Sequence, residues 1–147
     1  SIPFGFILTK FFLKKDIRDI GSGNIGATNA LRTGNKYLGY GTLFLDVIKA
    51  VIPVIYVKLN YPDYIFIASL CVFLGHVFPI WLKFKGGKGA ATLIGTLLVI
   101  SPFLVVVMLA TFIIILVMFG YVGLATMLAT ASITIYLLIT IIIYNME

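Results

Sequence analysis

From Gly89 to Met146 the sequence contains no charged residue. This stretch is much longer than one membrane crossing, which needs about 20 apolar residues. Across the whole chain of 147 residues, 61% are hydrophobic and 11% are charged, whereas a water-soluble domain has about a quarter charged residues. The sequence therefore predicts an integral membrane protein.

Polar connectors, prolines and glycines divide the apolar sequence into about six segments. Pro102 interrupts the charge-free stretch, because proline disfavours a helix at the residue before it. A helix over 90–100 would be only about 16 Å long, so a short helix, a turn and a longer returning helix are preferred to one long tilted helix. The predicted fold class is all-α, a polytopic helical membrane protein with segments 1–13, 37–57, 64–82, 90–100, 103–119 and 124–144.

Charge in the connectors predicts the orientation. The connector from Lys14 to Lys36 carries five positive and two negative charges, 83–89 is basic, and 58–63 is balanced. Basic connectors stay in the cytoplasm, so both of them are expected there. Because nine of the eleven basic residues lie in the short connectors between apolar segments, the net charge of +6 does not indicate nucleic acid as a partner.

The first basic connector contains a glycine-rich polar string, residues 21–32, which we call loop 1. It holds a formal G-x-G-x-x-G, but no buried strand precedes it, so a dinucleotide site is not indicated. Closely spaced glycines let backbone N–H groups converge on an anion, and an arginine can pair with a phosphate. A flexible polar loop is the alternative. The candidate residues are Gly21, Ser22, Gly23, Asn24, Gly26, Thr28, Asn29 and Arg32.

A second glycine-rich string, residues 85–92, opens an apolar segment, and we call it loop 2. It is not a Walker A motif, because Leu82 and Gly89 stand where that motif requires Gly and Ser or Thr. Three glycines and two lysines at a helix N-terminus favour an anion site. A cytoplasmic loop with glycine turns is the alternative. The candidate residues are Lys85, Gly86, Gly87, Lys88 and Gly89.

Besides Lys10, an aspartate, a lysine and a histidine lie inside apolar segments. Asp46 and Lys49 are three apart on one helix, and a structural ion pair is the preferred interpretation. His76 is the only histidine; an imidazole suits general-base work on an alcohol, and structural hydrogen bonding is the alternative. Pro79 is expected to end the helix near His76. Cys71 is expected to be a buried, inert thiol, and no spacing of metal ligands is present.

Loop 1 and the segment Gly75–Thr92, which includes His76 and loop 2, resemble the acyl-phosphate:glycerol-3-phosphate acyltransferases, the PlsY family. The resemblance runs from residue 1 to about 144. It implies a seven-helix enzyme of the bacterial inner membrane whose active site faces the cytoplasm. Such an enzyme transfers an acyl group from acyl-phosphate to the 1-hydroxyl of glycerol 3-phosphate in phospholipid biosynthesis. No cofactor, acyl-CoA or acyl carrier protein is expected; the partners are the two substrates and membrane lipids.

The resemblance also implies roles by position. Ser22 and the glycines after it would line the acyl-phosphate pocket, Arg32 and Lys88 would clamp glycerol phosphate, and His76 would lie at the reacting centre. His76 and Ser22 are therefore the expected catalytic residues, and no metal is expected. Whether His76 or a substrate phosphate takes the hydroxyl proton stays open. The remaining expected substrate-binding residues are Gly21, Gly23, Asn24, Gly26, Thr28, Asn29, Lys85, Gly86, Gly87 and Gly89.

Two departures from the family accompany the match. Gly123 stands where a third family block has a serine, and the family's C-terminal segment with His, Arg and Asn is missing. We therefore expect 1–147 to be a single membrane acyltransferase domain within a fragment, with the first helix truncated and the last helix and tail absent. A protein ending at Glu147 is expected to insert into membranes but to transfer little acyl group.

Two rival functions are consistent with basic loops in a membrane protein. A small-anion transporter or channel would need polar or charged residues along its later helices, yet 89–146 has no charge. A subunit that only binds lipid head groups would need Lys and Arg alone. The ordered Gly, Asn and Thr residues of loop 1 favour an enzyme over both.

Overall fold

The computed structural model describes residues 1–145, which form helices joined by short connectors and contain no strand. They form two compact units, residues 1–100 and the residues from Ser101 onward. The predicted all-α fold class is confirmed. The helices are α1 Phe4–Leu13, α2 Ala27–Leu31, α3 Lys36–Asn60, α4 Ile65–Val77, α5 Ala90–Ile100, α6 Pro102–Phe119 and α7 Val122–Tyr144; 3-10 turns cover Ile17–Asp19, Pro62–Tyr64 and Ile80–Leu82.

Six of these helices correspond to the predicted membrane segments. Within the described residues, three stretches are long and apolar enough to cross a membrane, namely Pro62–Leu82, Pro102–Phe119 and Val122–Tyr144. Helix α3 has 25 residues, about 37 Å, but carries Asp46 and Lys49 near its middle. Only the five-residue α2 was not predicted, because a helix of this length has no hydrophobic period to detect.

The helix ends follow proline and glycine. Helix α4 ends at Val77, two residues before Pro79, as predicted. Ser101 is extended, with φ −154° and ψ 101°, and α6 starts on Pro102, a position where the missing proline N–H costs no helix bond. The alternative of one long helix over 90–119 is therefore wrong. Gly120 ends α6 with a left-handed φ of 72°, which glycine adopts without strain.

Helix α3 is the centre of the first unit, and α5 packs on it most closely. A Cβ at Gly95 would lie 2.5 Å from the Val47 carbonyl oxygen and 2.8 Å from the Ala50 side chain, so only glycine permits this approach. Further along, Lys58 Nζ donates to the Val99 carbonyl at 2.6 Å. The later residue of α3, Lys58, contacts the later residue of α5, Val99. The two helices therefore run in the same direction.

Both glycine-rich loops consequently lie at one end of the first unit, because loop 1 precedes α3 and loop 2 leads into α5. A buried apolar cluster joins them: Leu82, just before loop 2, packs with Ile17, Ile25 and Ala30 around loop 1. Helix α1 runs antiparallel to α3, since Gly5 lies against Thr42 and the Ile2 carbonyl reaches Lys49.

The second unit is a helical hairpin. Helices α6 and α7 are joined by two residues, Gly120 and Tyr121. The rings of Phe103, at the start of α6, and Tyr136, in the second half of α7, have centroids 5.6 Å apart. The two helices therefore run antiparallel.

One sequence expectation about α4 was wrong. Cys71 is exposed rather than buried, as are its neighbours Leu70 and Leu74. This face of α4 carries apolar side chains that no other helix of the first unit covers. An apolar thiol in a membrane helix does not need protein around it to avoid water.

Candidate active site

Asn29 holds loop 1 in its conformation. Its side chain is 2% exposed, and its amide N–H groups donate to three carbonyl oxygens, of Ile17 at 3.0 Å, Ile20 at 2.8 Å and Asn24 at 2.8 Å. Its Oδ1 accepts from the backbone N–H of Ser22 at 2.9 Å. The side chain therefore ties the start and the end of loop 1 together, a role that the sequence did not predict.

The turn that leads into loop 1 is fixed by Asp16. Its carboxylate accepts hydrogen bonds from the Arg18 backbone N–H at 2.9 Å and from the Arg18 guanidinium, with the shortest contact at 2.6 Å. The hydrogen bonds from Arg18 lower the pKa of the Asp16 carboxyl, and in return Asp16 raises the pKa of Arg18. The Arg18 guanidinium also lies over the Phe6 ring, 5.1 Å from its centroid. Loop 1 is thereby anchored to α1.

Three backbone N–H groups near the start of loop 1 donate to acceptors in or next to the loop. Besides Ser22, Gly23 donates to the Ile20 carbonyl at 3.0 Å and Gly26 donates to Asn24 Oδ1 at 2.8 Å. Gly21 and Gly23 have left-handed φ values of 54° and 70°, which make the tight turns that these bonds close. These three N–H groups are therefore engaged within the protein, and an anion site at loop 1 stays a prediction.

Three polar side chains of loop 1 face outward. Ser22, Thr28 and Arg32 are exposed. The Arg32 side chain lies over Gly21, where a Cβ would come within 2.8 Å of its Cδ. Among residues 1–145, the ion pairs are Arg18–Asp16 and Lys49–Asp46, so no acidic side chain of that range neutralises Arg32. Its guanidinium is available to an anion from solution.

Loop 2 is attached to the end of α4 through His76. The N–H of Gly86 donates to the Val77 carbonyl at 3.1 Å and that of Gly87 to the His76 carbonyl at 3.2 Å. Gly87 also lies against Nε2 of the His76 ring, and a Cβ there would collide with the imidazole. Gly89 has a φ of 84° and packs on Phe73 in the same way. The glycines of loop 2 therefore permit close packing, and the N–H groups of Gly86 and Gly87 point into the protein.

The lysines of loop 2 face outward. Lys85 and Lys88 are exposed, and neither forms an ion pair within residues 1–145. The loop ends where Thr92 Oγ1 donates to the Gly89 carbonyl at 2.9 Å, inside the first turn of α5. The positive charges of loop 2 therefore stand at the N-terminus of a helix, whose partial positive charge adds to theirs.

His76 lies beneath loop 2 and is 3% exposed. Its Nδ1 is 2.9 Å from Lys49 Nζ, and Lys49 Nζ is 2.7 Å from Asp46 Oδ1. The predicted Asp46–Lys49 ion pair is confirmed, whereas its link to His76 was not predicted, because it joins α3 to α4 across 27 residues of sequence. Removing one partner of such a buried pair typically costs about 3–5 kcal/mol.

The structure brings the two loops to one end of the first unit and leaves Ser22, Thr28, Arg32, Lys85 and Lys88 exposed there. Within the described residues, no group of three His, Cys, Asp or Glu side chains could hold a metal ion. The arrangement can hold anions by charge and by hydroxyl groups. The fold and this end of it define a polytopic membrane protein with a polar, positively charged candidate site.

Comparison with known proteins identifies the family. The glycerol-3-phosphate acyltransferase family matches residues 1–146, and the chain belongs to this family. The glycerol-3-phosphate acyltransferase of Pelagibacter ubique is 65% identical over 139 residues, which are 95% of this chain and 73% of that protein. The enzyme of the same name from Sinorhizobium medicae is 47% identical over 140 residues, 95% of this chain and 69% of that protein.

Two crystal structures of PlsY (YgiH), an integral membrane glycerol 3-phosphate acyltransferase, are similar to this chain. The glycerol 3-phosphate form has a TM-score of 0.88 and the lysophosphatidic acid form has one of 0.82. Both are 34% identical and cover 95% of this chain and 70% of the crystallised one. The protein is therefore a multi-pass membrane acyltransferase of phospholipid synthesis.

Proposed function

We propose that the protein transfers a fatty acyl group from acyl-phosphate to the 1-hydroxyl of glycerol 3-phosphate, giving 1-acyl-glycerol 3-phosphate and phosphate. The observation that carries this proposal is the pair of glycine-rich loops at one end of the first unit, with Arg32 and Lys88 exposed and without acidic partners in residues 1–145. The similar crystal structures are described as the glycerol 3-phosphate and lysophosphatidic acid forms of their enzyme, which are acceptor and product of this reaction.

The reaction requires that the two substrates be positioned more than that either of them be activated. Acyl-phosphate is a mixed anhydride with a good leaving group, so the acceptor oxygen attacks the acyl carbon and the bond from that carbon to the phosphate oxygen breaks. Holding two anions together and orienting one hydroxyl supplies much of the rate enhancement. The hydroxyl proton passes to His76 or to a substrate phosphate. No metal or covalent intermediate is required.

Within this reaction we assign Arg32 and Lys88 to the phosphate of glycerol 3-phosphate. Ser22 and Thr28, with Lys85 from loop 2, face the acyl-phosphate. The buried side chain of Asn29 and the glycines of both loops act by shaping the loops rather than by donating to substrate. His76, beneath loop 2, belongs to the reacting centre.

The membrane setting completes the proposal. Both loops belong to basic connectors, which stay in the cytoplasm, so the site faces the cytoplasm from the bacterial inner membrane. The described helices belong to one acyltransferase domain surrounded by lipid. The donor is acyl-phosphate rather than acyl-CoA or acyl carrier protein, and nucleic acid is not a partner.

The test is an assay of the full gene product in detergent with palmitoyl-phosphate. We expect phosphate release that depends on glycerol 3-phosphate and equals the lysophosphatidic acid formed. Palmitoyl-CoA in place of palmitoyl-phosphate is the control donor. Turnover with palmitoyl-CoA and none with palmitoyl-phosphate would contradict the proposed donor, and uptake of anions into vesicles without acyl transfer would favour a transporter.

The phosphate clamp has its own test in the same assay. Arg32→Ala and Lys88→Ala should each raise KM for glycerol 3-phosphate by one to two decades, because a charge-assisted hydrogen bond is worth about 1.5–3 kcal/mol. Lys36→Ala is the matched control, since it removes an exposed positive charge just beyond loop 1. Equal KM values in all three variants would show that Arg32 and Lys88 act only through the general field of the surface.

A further inference from the structure

Lys49 sits among three acceptors. Its Nζ lies 2.7 Å from Asp46 Oδ1, 2.7 Å from the Ile2 carbonyl oxygen and 2.9 Å from His76 Nδ1. A lysine ammonium has three N–H donors and no acceptor. The Ile2 carbonyl accepts a hydrogen bond from this ammonium, and the Asp46 carboxylate forms an ion pair with it. The negative charge of Asp46 favours the ammonium form in a site where the Lys49 side chain is only 8% exposed.

This arrangement determines the protonation of the imidazole. An ammonium can only donate, so with Lys49 charged the 2.9 Å contact requires a lone pair on Nδ1. In a neutral imidazole one nitrogen is the acceptor and the other carries the hydrogen, so the hydrogen of His76 is on Nε2. An imidazolium would place an N–H at Nδ1 facing an ammonium, with no acceptor between them.

The other side of the ring faces loop 2. Nε2 lies against Gly87, and the Gly87 N–H is bonded to the carbonyl of the same histidine. The imidazole is therefore held on one side by Lys49 of α3 and on the other by the backbone of loop 2. A change at Lys49 therefore reaches loop 2 directly through this ring.

We propose that Lys49, held by Asp46, is a positioning residue that keeps His76 in its neutral Nε2–H tautomer beneath loop 2. The proposal rests on the proposed function for its catalytic consequence, because it acts through His76. Lys49 itself touches no substrate. In this state Nε2 offers a hydrogen to an oxygen acceptor and has no lone pair to take the hydroxyl proton, so of the two acceptors named under the proposed function it is the substrate phosphate that takes the proton.

The direct test is nitrogen NMR of the full gene product labelled with ¹⁵N-histidine and purified without a histidine tag. The His76 signals are identified by their loss in His76→Gln. We expect the neutral Nε2–H tautomer in the unmodified protein and a different tautomer distribution in Lys49→Met. Lys58→Met is the matched control, because Lys58 lies on the same helix and also donates to a backbone carbonyl, about 14 Å further along; its His76 spectrum should be unchanged.

A kinetic cycle separates positioning from simple stability. We expect Lys49→Met to lower kcat/KM roughly 10- to 100-fold, as displacement of a reacting group does. Added to His76→Gln, the same change should cost no more than about twofold, whereas independent effects would multiply. Lys58→Met should change kcat/KM equally in both backgrounds.

Three results would overturn the proposal: an Nδ1–H tautomer or an imidazolium in the unmodified protein, a Lys49→Met spectrum identical to it, or multiplying losses in the cycle. The tautomer of the unmodified protein is measured without any change at Lys49, so it decides the matter even if Lys49→Met does not fold. It is also independent of activity. If the protein showed the expected tautomer but no acyl transfer from acyl-phosphate, the proposed function would be contradicted and the inference about Lys49 and His76 would remain.

Discussion

A single buried amide determines the shape of loop 1. The Asn29 side chain uses both its donor and its acceptor, and the four backbone groups that it reaches belong to Ile17, Ile20, Ser22 and Asn24. No other side chain of this size and polarity offers two hydrogens and a carbonyl oxygen from one planar group except glutamine, which is one methylene longer. The loop therefore depends on this residue more than on any exposed one.

Asn29→Asp should destabilise the protein more than Asn29→Ala does. Alanine leaves buried groups without partners, at about 1–3 kcal/mol each. Aspartate goes further, because it turns an acceptor oxygen, and a negative charge when ionised, toward three carbonyl oxygens. Thermal unfolding in detergent measures the difference, with Asn60→Ala as control, since Asn60 is exposed and such surface changes are usually within about 0.5 kcal/mol. Equal unfolding temperatures for the unmodified protein and Asn29→Asp would show that the amide does not hold the loop.

At the scale of elements, loop 2 and α4 act as one piece. Two hydrogen bonds fasten Gly86 and Gly87 to the last turn of α4, and Pro79 ends the helix at the point where the chain must turn back. The loop returns past His76 without a side chain in the way, which allows the imidazole to lie beneath it. Position and orientation of His76 thus depend on the loop as much as on the helix.

Gly87→Ala should therefore remove most of the activity. The added Cβ collides with the His76 ring, so the ring or the loop must move, and a shift of about 1 Å at a reacting centre can cost roughly 100-fold in rate. The matched control is Gly41→Ala in α3, where a Cβ meets only Leu8 Cδ1 at 3.7 Å. Acyl transfer and unfolding temperature are measured for both variants. Full activity in Gly87→Ala would show that loop 2 tolerates displacement from His76.

At the scale of the whole molecule, the distribution of charge and the direction of the helices indicate the same orientation in the membrane. Helices α3 and α5 start at the end where the two basic connectors lie, and the balanced connector 58–64 lies at the other end of α3. A long apolar α3 with Asp46 and Lys49 inside it is tolerated because each charge faces the protein and finds a partner there, as expected for ionisable groups within a membrane. The proposed cytoplasmic face follows from this arrangement.

Single cysteines test the orientation. In a Cys71→Ala background, Asp63→Cys should react with a membrane-impermeant maleimide added to spheroplasts, and Lys15→Cys should not. Inverted membrane vesicles are the control and should give the reverse pattern, because the basic connector then faces the reagent. Labelling of Lys15→Cys in intact spheroplasts would place loop 1 outside the cell and contradict the proposed orientation.

The sequence by itself determined the membrane class, the six apolar helices and the breaks at Pro79, Pro102 and Gly120, whereas α3 runs to Asn60 rather than to residue 57. These features depend on properties of the local sequence, such as the hydrophobicity of a segment or the missing N–H of Pro102. They can be predicted without knowing which residues are neighbours in space. The ordered residues of the two loops also sufficed to indicate the family. The ion pair of Asp46 and Lys49 could be predicted from the sequence as well, because helix geometry alone brings residues three apart together.

Only the tertiary structure decided what the polar groups bond to. The contact of Lys49 with His76 depends on how α3 and α4 are rotated and packed, and the partners of Asn29 depend on how loop 1 closes. The sequence suggested that glycine N–H groups of both loops face an anion, yet those of Gly23, Gly26, Gly86 and Gly87 are bonded within the protein. A buried N–H must find an acceptor wherever the fold places one, and which acceptor is nearest is a property of packing that no local pattern carries.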